Sequence, residues 1–144
     1  MPSILNPAPA PGPLPASVWR HVSYVTPNRS EALTLLGGEG RMPAELAGDL
    51  QRVSGSTVIM TLGEDGAIVA SPDGHVTIDP VPASAVVDTT GAGDAFNAAL
   101  AVALAEGAQP TVAATWAARA GSHAVAHAGV LRGLPTRADL GELP

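Results

Sequence analysis

The segment Asp88-Thr89-Thr90-Gly91-Ala92-Gly93-Asp94 stands between a short apolar triplet, Ala85-Val86-Val87, and a stretch, Gly93 to Glu106, that is apolar nearly all round. A strand running into a glycine turn and then into a buried helix is the connection this pattern predicts. Such a turn leaves backbone N–H groups free at a helix N-terminus, where aligned peptide dipoles favour an anion. Gly91 and Gly93 lack a Cβ, so the backbone can turn sharply and approach a ligand, and Ala92 is small enough not to obstruct it. Asp94 is the odd element, because a carboxylate inside an anion cradle repels a phosphate. Two explanations fit it: a first-turn acid that interacts with the helix dipole whatever the function, or a general base beside N–H groups that hold the charge of a transferring phosphoryl group. A carboxylate is a weak base toward an alcohol, so in the second case Asp94 acts late, as the hydroxyl acidifies, and positioning carries most of the rate. The segment lacks both the Gly-x-x-x-x-Gly-Lys-[Ser/Thr] spacing and the Gly-x-Gly-x-x-Gly spacing of two other phosphate-binding loops.

Around this loop, strand and helix patterns alternate. Thr57 to Leu62 is a continuous apolar run of the kind covered on both faces in a parallel sheet. Ala67 to Ala70 and His75 to Ile78 flank Ser71-Pro72-Asp73-Gly74, a hairpin signal resting on the positive φ that Asp-Gly tolerates. His21 to Thr26 reads as a short strand ended by Pro27-Asn28. Ser30 is placed to cap a short helix, Glu31 to Leu36, stopped by Gly37-Gly38. Pro43 to Val53 reads as a longer helix with Leu46, Leu50 and Val53 on one face, and Pro110 to His127 as the last. Six of the fourteen prolines fall in the first fifteen residues, which on composition alone reads as an extended linker. The alternation gives an α/β layer architecture with a mainly parallel sheet.

The bulk numbers narrow the partners. A chain of 144 residues with 46% hydrophobic and 14% charged residues is one globular domain, not a disordered segment. A net charge of -6 without a basic cluster excludes a nucleic-acid or anionic-membrane footprint, so any phosphate must be met locally. The absence of cysteine fits a reducing compartment, and no apolar run of transmembrane length interrupts the chain, so the cytoplasm is expected.

Asp88-Thr89-Thr90-Gly91-Ala92-Gly93-Asp94-Ala95-Phe96 resembles, residue for residue, the C-terminal signature of the ribokinase-like sugar kinases, the phosphofructokinase-B type. Three further segments follow the family's order: Thr26-Pro27-Asn28-Arg29-Ser30-Glu31, similar to its Asn-x-x-Glu motif; Thr61-Leu62-Gly63-Glu64-Asp65-Gly66, similar to its nucleotide loop; and the opening Leu5-Asn6-Pro7-Ala8-Pro9-Ala10, typical of ribokinases. The resemblance covers essentially all of residues 1–144 and replaces the linker reading of the start with a segment that leaves a sheet strand. It implies the C-terminal half of a three-layer ribokinase-like fold, nucleotide-binding and catalytic, with the sugar-binding and lid half absent. It further implies phosphoryl transfer from ATP to a sugar hydroxyl, ribose being favoured, with Asp94 as base and Gly91, Ala92 and Gly93 as anion hole.

On the same resemblance, Asn28 and Glu31 organise Mg²⁺ and its waters near the nucleotide, while Asn28, Thr61, Gly63 and Gly66 meet the nucleotide itself. Read without the family, Asn28 and Glu31 are a turn residue and a first-turn acid, and Thr61 to Gly66 a strand end and a turn. Positions matching a monovalent-cation (K⁺) site are Asp88, Thr90, Ala124, His127, Gly129 and Gly133. Gly133 stands where a ribokinase usually carries Ser, and Val130-Leu131-Arg132 replaces an Ala-x-Pro pattern. Arg119, His123 and His127 form an i, i+4, i+8 stripe. Two histidines so spaced can ligate zinc, but without a third ligand the stripe reads as a solvated helix face, and Val112 and Trp116 read as core. A sheet cut at the family's midpoint exposes an edge, so the expected partners beyond ATP, ADP and sugar are a second copy of the chain or a complementary N-terminal half. A nucleotide-binding module without catalysis is the alternative to the kinase.

Overall fold

The computed structural model describes residues 2–38 and 40–143, which form two compact units, Met1–Ile78 and Asp79–Pro144. The first unit holds a five-stranded sheet in the order β1 (Ile4–Leu5), β2 (Tyr24–Val25), β3 (Thr57–Thr61), β4 (Ala67–Ser71), β5 (Gly74–Ile78). β1, β2 and β3 pair in parallel, β3 with β4 and β4 with β5 in antiparallel, so four of the five strands share one direction. The proline-rich segment thus leaves a sheet strand, β1, as the resemblance implied. Helices α1 (Ala16–Trp19), α2 (Arg29–Leu36) and α3 (Pro43–Ser54) complete the unit.

The apolar run of β3 does what its composition predicts: Val58, Ile59 and Met60 are all without exposed surface. Burial on alternating sides of one strand means both faces are covered, and each such side chain gains about 1.5–3 kcal/mol on leaving water. On one side they meet Leu35, Leu46, Ala47 and Leu50 of α2 and α3, joined by Trp19 and Val25. Val53, grouped above with Leu46 and Leu50, is instead 59% exposed. Three residues beyond Leu50, in the last turn, it has passed the edge of the packed stripe. α3 then stops at Gly55, φ 69°.

The cap of α2 also differs from the expectation. Ser30 lies inside the helix, where its carbonyl accepts the Thr34 hydroxyl, and Asn28 is the N-cap. The β4–β5 hairpin forms as predicted, but its two turn residues are Pro72 and Asp73, with Ser71 paired to Gly74. The positive φ, 126°, falls on Gly74 alone, so Asp73 is spared a left-handed backbone.

The second unit is helical: α4 (Ala92–Ala105), α5 (Pro110–Val125), and two single turns, α6 (Val130–Gly133) and α7 (Arg137–Leu140). α4 and α5 pack through a small-residue seam that buries Ala95, Ala99, Ala103, Ala113, Ala117 and Ala120. Phe96, Leu100 and Trp116 fill the rest, so Trp116 is core as expected. Trp116 Nε1 donates to the Gly141 carbonyl at 3.2 Å, Arg119 to that of Leu140 at 3.1 Å, and Arg137 both forks onto Glu106 and lies over the Trp116 ring, fastening α7 to α4 and α5. Ala85-Val86-Val87 is not a strand. Among the described residues its unit contains no strand to pair with, and Val86 and Val87 are exposed. No helix of the described residues is long and apolar enough to cross a membrane.

Candidate active site

Parallel strands bring their carboxyl ends to one edge of a sheet, and open α/β sheets receive ligands outside that edge. Here the ends are laced together. Thr26, just past β2, donates its N–H to the Leu5 carbonyl at 2.9 Å, and Thr61, closing β3, donates to the Pro27 carbonyl at 3.0 Å, which sets Thr61 opposite Asn28. Asn28 Oδ1 accepts the Glu31 N–H at 2.9 Å, and Glu31 Oε2 accepts the Asn28 N–H at 2.8 Å. This reciprocal capping box satisfies two of the donors a helix start leaves free. The structural reading of these two residues therefore holds, and Glu31 Oε1 takes no part in it.

Beyond Thr61 the chain makes a 3₁₀ turn, Gly63–Asp65. The Leu62 N–H donates to the Gly66 carbonyl at 2.8 Å and the Gly66 N–H to that of Gly63 at 3.2 Å. Gly66 has φ 88° and ψ -132°, a region closed to residues with a Cβ, so the turn into β4 requires a glycine there. Asn28, Glu31, Thr61, Gly63 and Gly66 are thus brought to one end of the first unit. None of them lines the cavity of about 650 Å³ beside the Ser71–Gly74 turn, where Arg41 pairs with Asp49 at 3.0 Å.

In the second unit the glycine loop opens α4 as the sequence implied. Gly91, φ 81°, is the N-cap and has no side chain to cap with. The Ala92 N–H turns back to the Thr89 carbonyl at 3.3 Å, whereas those of Gly93 and Asp94 donate to no acceptor among the described residues. A Cβ added at Gly93 would meet nothing within 4 Å. Asp94 lies exposed in the first turn. Two free N–H groups, an open face and a carboxylate one residue away are the components of an anion site with a base beside it.

One residue, Asn97, and the hydrogen bonds made by Asp88 escaped sequence reasoning. Asn97 Nδ2 reaches back one turn to the Gly93 carbonyl at 2.9 Å, a bond whose only trace in the sequence is the i, i+4 spacing. Asp88 Oδ1 accepts the Thr90 N–H at 2.9 Å, and its Oδ2 accepts the Gly129 N–H at 3.2 Å, forty-one positions along the chain. The Val87 and Asp88 N–H groups both donate to the Val125 carbonyl, at 2.8 and 3.2 Å. Among the six positions matched to a monovalent cation, four are joined in two pairs by backbone bonds: His127 N–H to the Ala124 carbonyl at 3.2 Å, Gly133 N–H to that of Gly129 at 3.1 Å. The His123 and His127 rings stack 4.5 Å apart, and His127 Nδ1 lies 2.8 Å from the His123 carbonyl, which can only accept, so the proton is on Nδ1. Arg119, the third member of that stripe, is turned to the Leu140 carbonyl.

Thr90 first, through its side chain and its N–H, and then the Gly129 N–H hold the Asp88 carboxyl below the usual 3.8. Arg137 does the same for Glu106, usually 4.5, and the Thr136 hydroxyl and N–H for Asp139, usually 3.8. A carboxyl whose folded pKa is depressed adds stability that is present above its unfolded value and lost as pH falls through the folded one. The unfolding temperature is therefore expected to be level from pH 7 to 5 and to fall from about pH 4.5 downward. Thermal unfolding followed by circular dichroism checks this, and Asp88→Asn is expected to shallow the fall; a rise in stability toward pH 3 would contradict it.

A family model, that of the pfkB family carbohydrate kinases, matches residues 1–137. The ribokinase of Bacillus subtilis (strain 168) is 40% identical over 143 residues, covering 99% of this chain and 46% of that protein. The Arabidopsis thaliana ribokinase is 32% identical over 133 residues, 87% of this chain and 34% of that protein. Among solved structures, Arabidopsis thaliana ribokinase complexed with ribose and ATP superposes with a TM-score of 0.86 at 28% identity, over 97% of this chain and 46% of that one. A ribokinase from Thermotoga maritima gives 0.85 at 29%, over 95% and 46%. The chain spans less than half the length of each of these relatives.

Proposed function

The chain belongs to the pfkB family of carbohydrate kinases, and from that premise we propose that it serves the transfer of the γ-phosphoryl group of ATP to a sugar hydroxyl, with ribose as the favoured acceptor. In this reading residues 1–144 are the C-terminal, nucleotide-binding and catalytic part of a ribokinase-like domain. The observation that carries it is the start of α4, where the free N–H groups of Gly93 and Asp94 adjoin an unengaged Asp94 carboxylate.

Asp94 takes the proton of the attacking hydroxyl as the O–P bond forms, and the Gly91-Ala92-Gly93 turn holds the charge on the phosphoryl oxygens through the N–H groups it leaves free, those of Gly93 and Asp94, while that of Ala92 is turned to Thr89. Thr61, Gly63 and Gly66 bear on the nucleotide. Asn28 Oδ1 and Glu31 Oε2 are spent on the helix cap, so Mg²⁺ fits there only through water, with Glu31 Oε1 as the remaining anchor. Mg²⁺ supplies charge neutralisation between the nucleotide phosphates when bound. A chain without cysteine that draws on ATP fits the cytoplasm.

The coverage of less than half of each relative favours a second reading, in which this polypeptide binds nucleotide and a sugar site is completed only by a complementary N-terminal half or a second copy. Calorimetric titration with Mg·ATP, followed by an assay of ribose-dependent ADP release, separates the two. Binding with turnover is the expected result of the kinase reading; binding without turnover selects the second; no binding of Mg·ATP sinks both.

A further inference from the structure

Asn97 is the one polar residue of α4 beyond its first turn, set among Ala95, Phe96, Ala98 and Ala99. Its Nδ2 donates to the Gly93 carbonyl at 2.9 Å. A carbonyl only accepts, so the amide is turned with Nδ2 toward it, and Oδ1 is left shielded from solvent with no donor among the described residues. A buried acceptor without a partner destabilises a fold, and an apolar side chain at 97 would carry no such cost. Nor is the bond needed to satisfy Gly93, whose carbonyl in an α-helix also accepts the backbone N–H of residue 97. Thr34 and Thr115 make the same one-turn bond, to the Ser30 and Thr111 carbonyls at 2.9 Å, but both are exposed, so solvent satisfies what they leave free. Asn97 alone of the three makes the bond at the expense of a buried oxygen.

What the bond acts on is a single rigid plane. The Gly93 carbonyl and the Asp94 N–H belong to one peptide unit, in which oxygen and hydrogen point in opposite directions. Holding the oxygen therefore fixes the direction of the N–H, and a second donor on the oxygen draws electron density from the nitrogen and strengthens the N–H as a donor. That N–H is one of the two at the start of α4 that meet no acceptor among the described residues. We propose that Asn97 is a positioning residue of the phosphoryl-transfer site: through the Gly93 carbonyl it aims and polarises the Asp94 N–H for the charge that develops on the transferring phosphoryl oxygens. This rests on the kinase reading above and extends it to a side chain that acts only through the backbone. The unpaired Oδ1 is the structural cost of that orientation.

Valine and threonine have nearly the same shape, and threonine donates to the carbonyl one turn back as Thr34 and Thr115 do, so Asn97→Thr and Asn97→Val differ chiefly in the bond itself. In the ligand-free protein the Asp94 amide resonance of Asn97→Thr is expected to lie near the parent's and that of Asn97→Val to move away from it. Coincident resonances in the two variants would show that side chain 97 does not act on this peptide, a result that needs neither nucleotide nor turnover. In the assay of ribose-dependent ADP release, kcat is expected to fall about tenfold in Asn97→Val with the KM for ATP within about twofold, and to stay within about threefold of the parent in Asn97→Thr. The unfolding temperature of Asn97→Val is expected to equal or exceed the parent's, since the unpaired oxygen is gone. A fall in unfolding temperature that runs in step with kcat would make the bond a structural one and overturn the proposal, as would equal kcat in the two variants. Should valine at 97 prevent folding, Asn97→Ala and Asn97→Ser repeat the contrast at smaller size. Absence of turnover in the parent removes the kinase reading of this chain alone, and the resonance comparison then decides whether Asn97 sets the Asp94 N–H.

Discussion

Replacing Asp94 by Asn is expected to cut ribose-dependent phosphoryl transfer about a thousandfold, the scale on which a positioned general base contributes, while Mg·ATP affinity stays within about twofold. Asparagine matches the carboxylate in shape but cannot take a proton from the sugar hydroxyl. Asp94 makes no hydrogen bond to the described residues and lies exposed in the first turn of α4, so the exchange removes no structural contact. Binding loses nothing either, since one negative charge fewer faces the phosphates. ADP release with and without ribose, set beside the binding isotherm, gives both quantities. A variant that retained a tenth or more of the parent's turnover would return Asp94 to the role of a helix-dipole residue. Turnover absent from the parent as well would leave the nucleotide-binding reading in its place.

The second large effect separates two glycines that sequence reading treats alike. Gly93→Val is expected to weaken Mg·ATP binding on the order of a hundredfold and leave the unfolding temperature within a few degrees. Position 93 has a helical backbone with open space beyond it, so a valine folds there but occupies the side from which a phosphate must approach the free N–H groups. Gly91→Val acts through the fold instead. Its φ of 81° strains any residue with a Cβ by about 1–2 kcal/mol, and that Cβ would press on Val130. Thermal unfolding and calorimetry on both variants distinguish the roles. Equal destabilisation by the two substitutions would mean that neither glycine is reserved for a ligand.

What could be read in advance followed the range over which each signal acts. The strand of Thr57 to Thr61, the hairpin around Pro72 and Asp73, the helices α3 to α5 and the glycine loop all declare themselves within a dozen residues through periodicity, turn chemistry and motif. Ala85-Val86-Val87 has the composition of a strand, but a strand exists only with a partner, and none is described in its unit. The choice between Asn28 and Ser30 as cap turned on which side chain meets a first-turn N–H, and Glu31 decided it by answering Asn28. The single turns α1, α6 and α7 are too short to show a period. At the site, the individual residues were legible as a motif, whereas the tie from Asp88 to Gly129 joins positions whose spacing carries no local signature.

The order of the strands sets an order in time. Thr61 pairs with Ala67 and Ser71 with Gly74, across short loops whose closure needs little chain entropy, so β3, β4 and β5 can assemble on the microsecond scale of hairpins. Tyr24 pairs with Thr57 and Ile4 with Tyr24, closures that wait on the helices lying between them. Refolding is thus expected to proceed from the hairpin side of the sheet toward β1, with Asn28 meeting Thr61 as β2 pairs with β3 and before β1 adds. The two-residue strand β1 is accordingly the last part of the sheet to assemble, and it is the strand of the first unit expected to open first in the folded molecule.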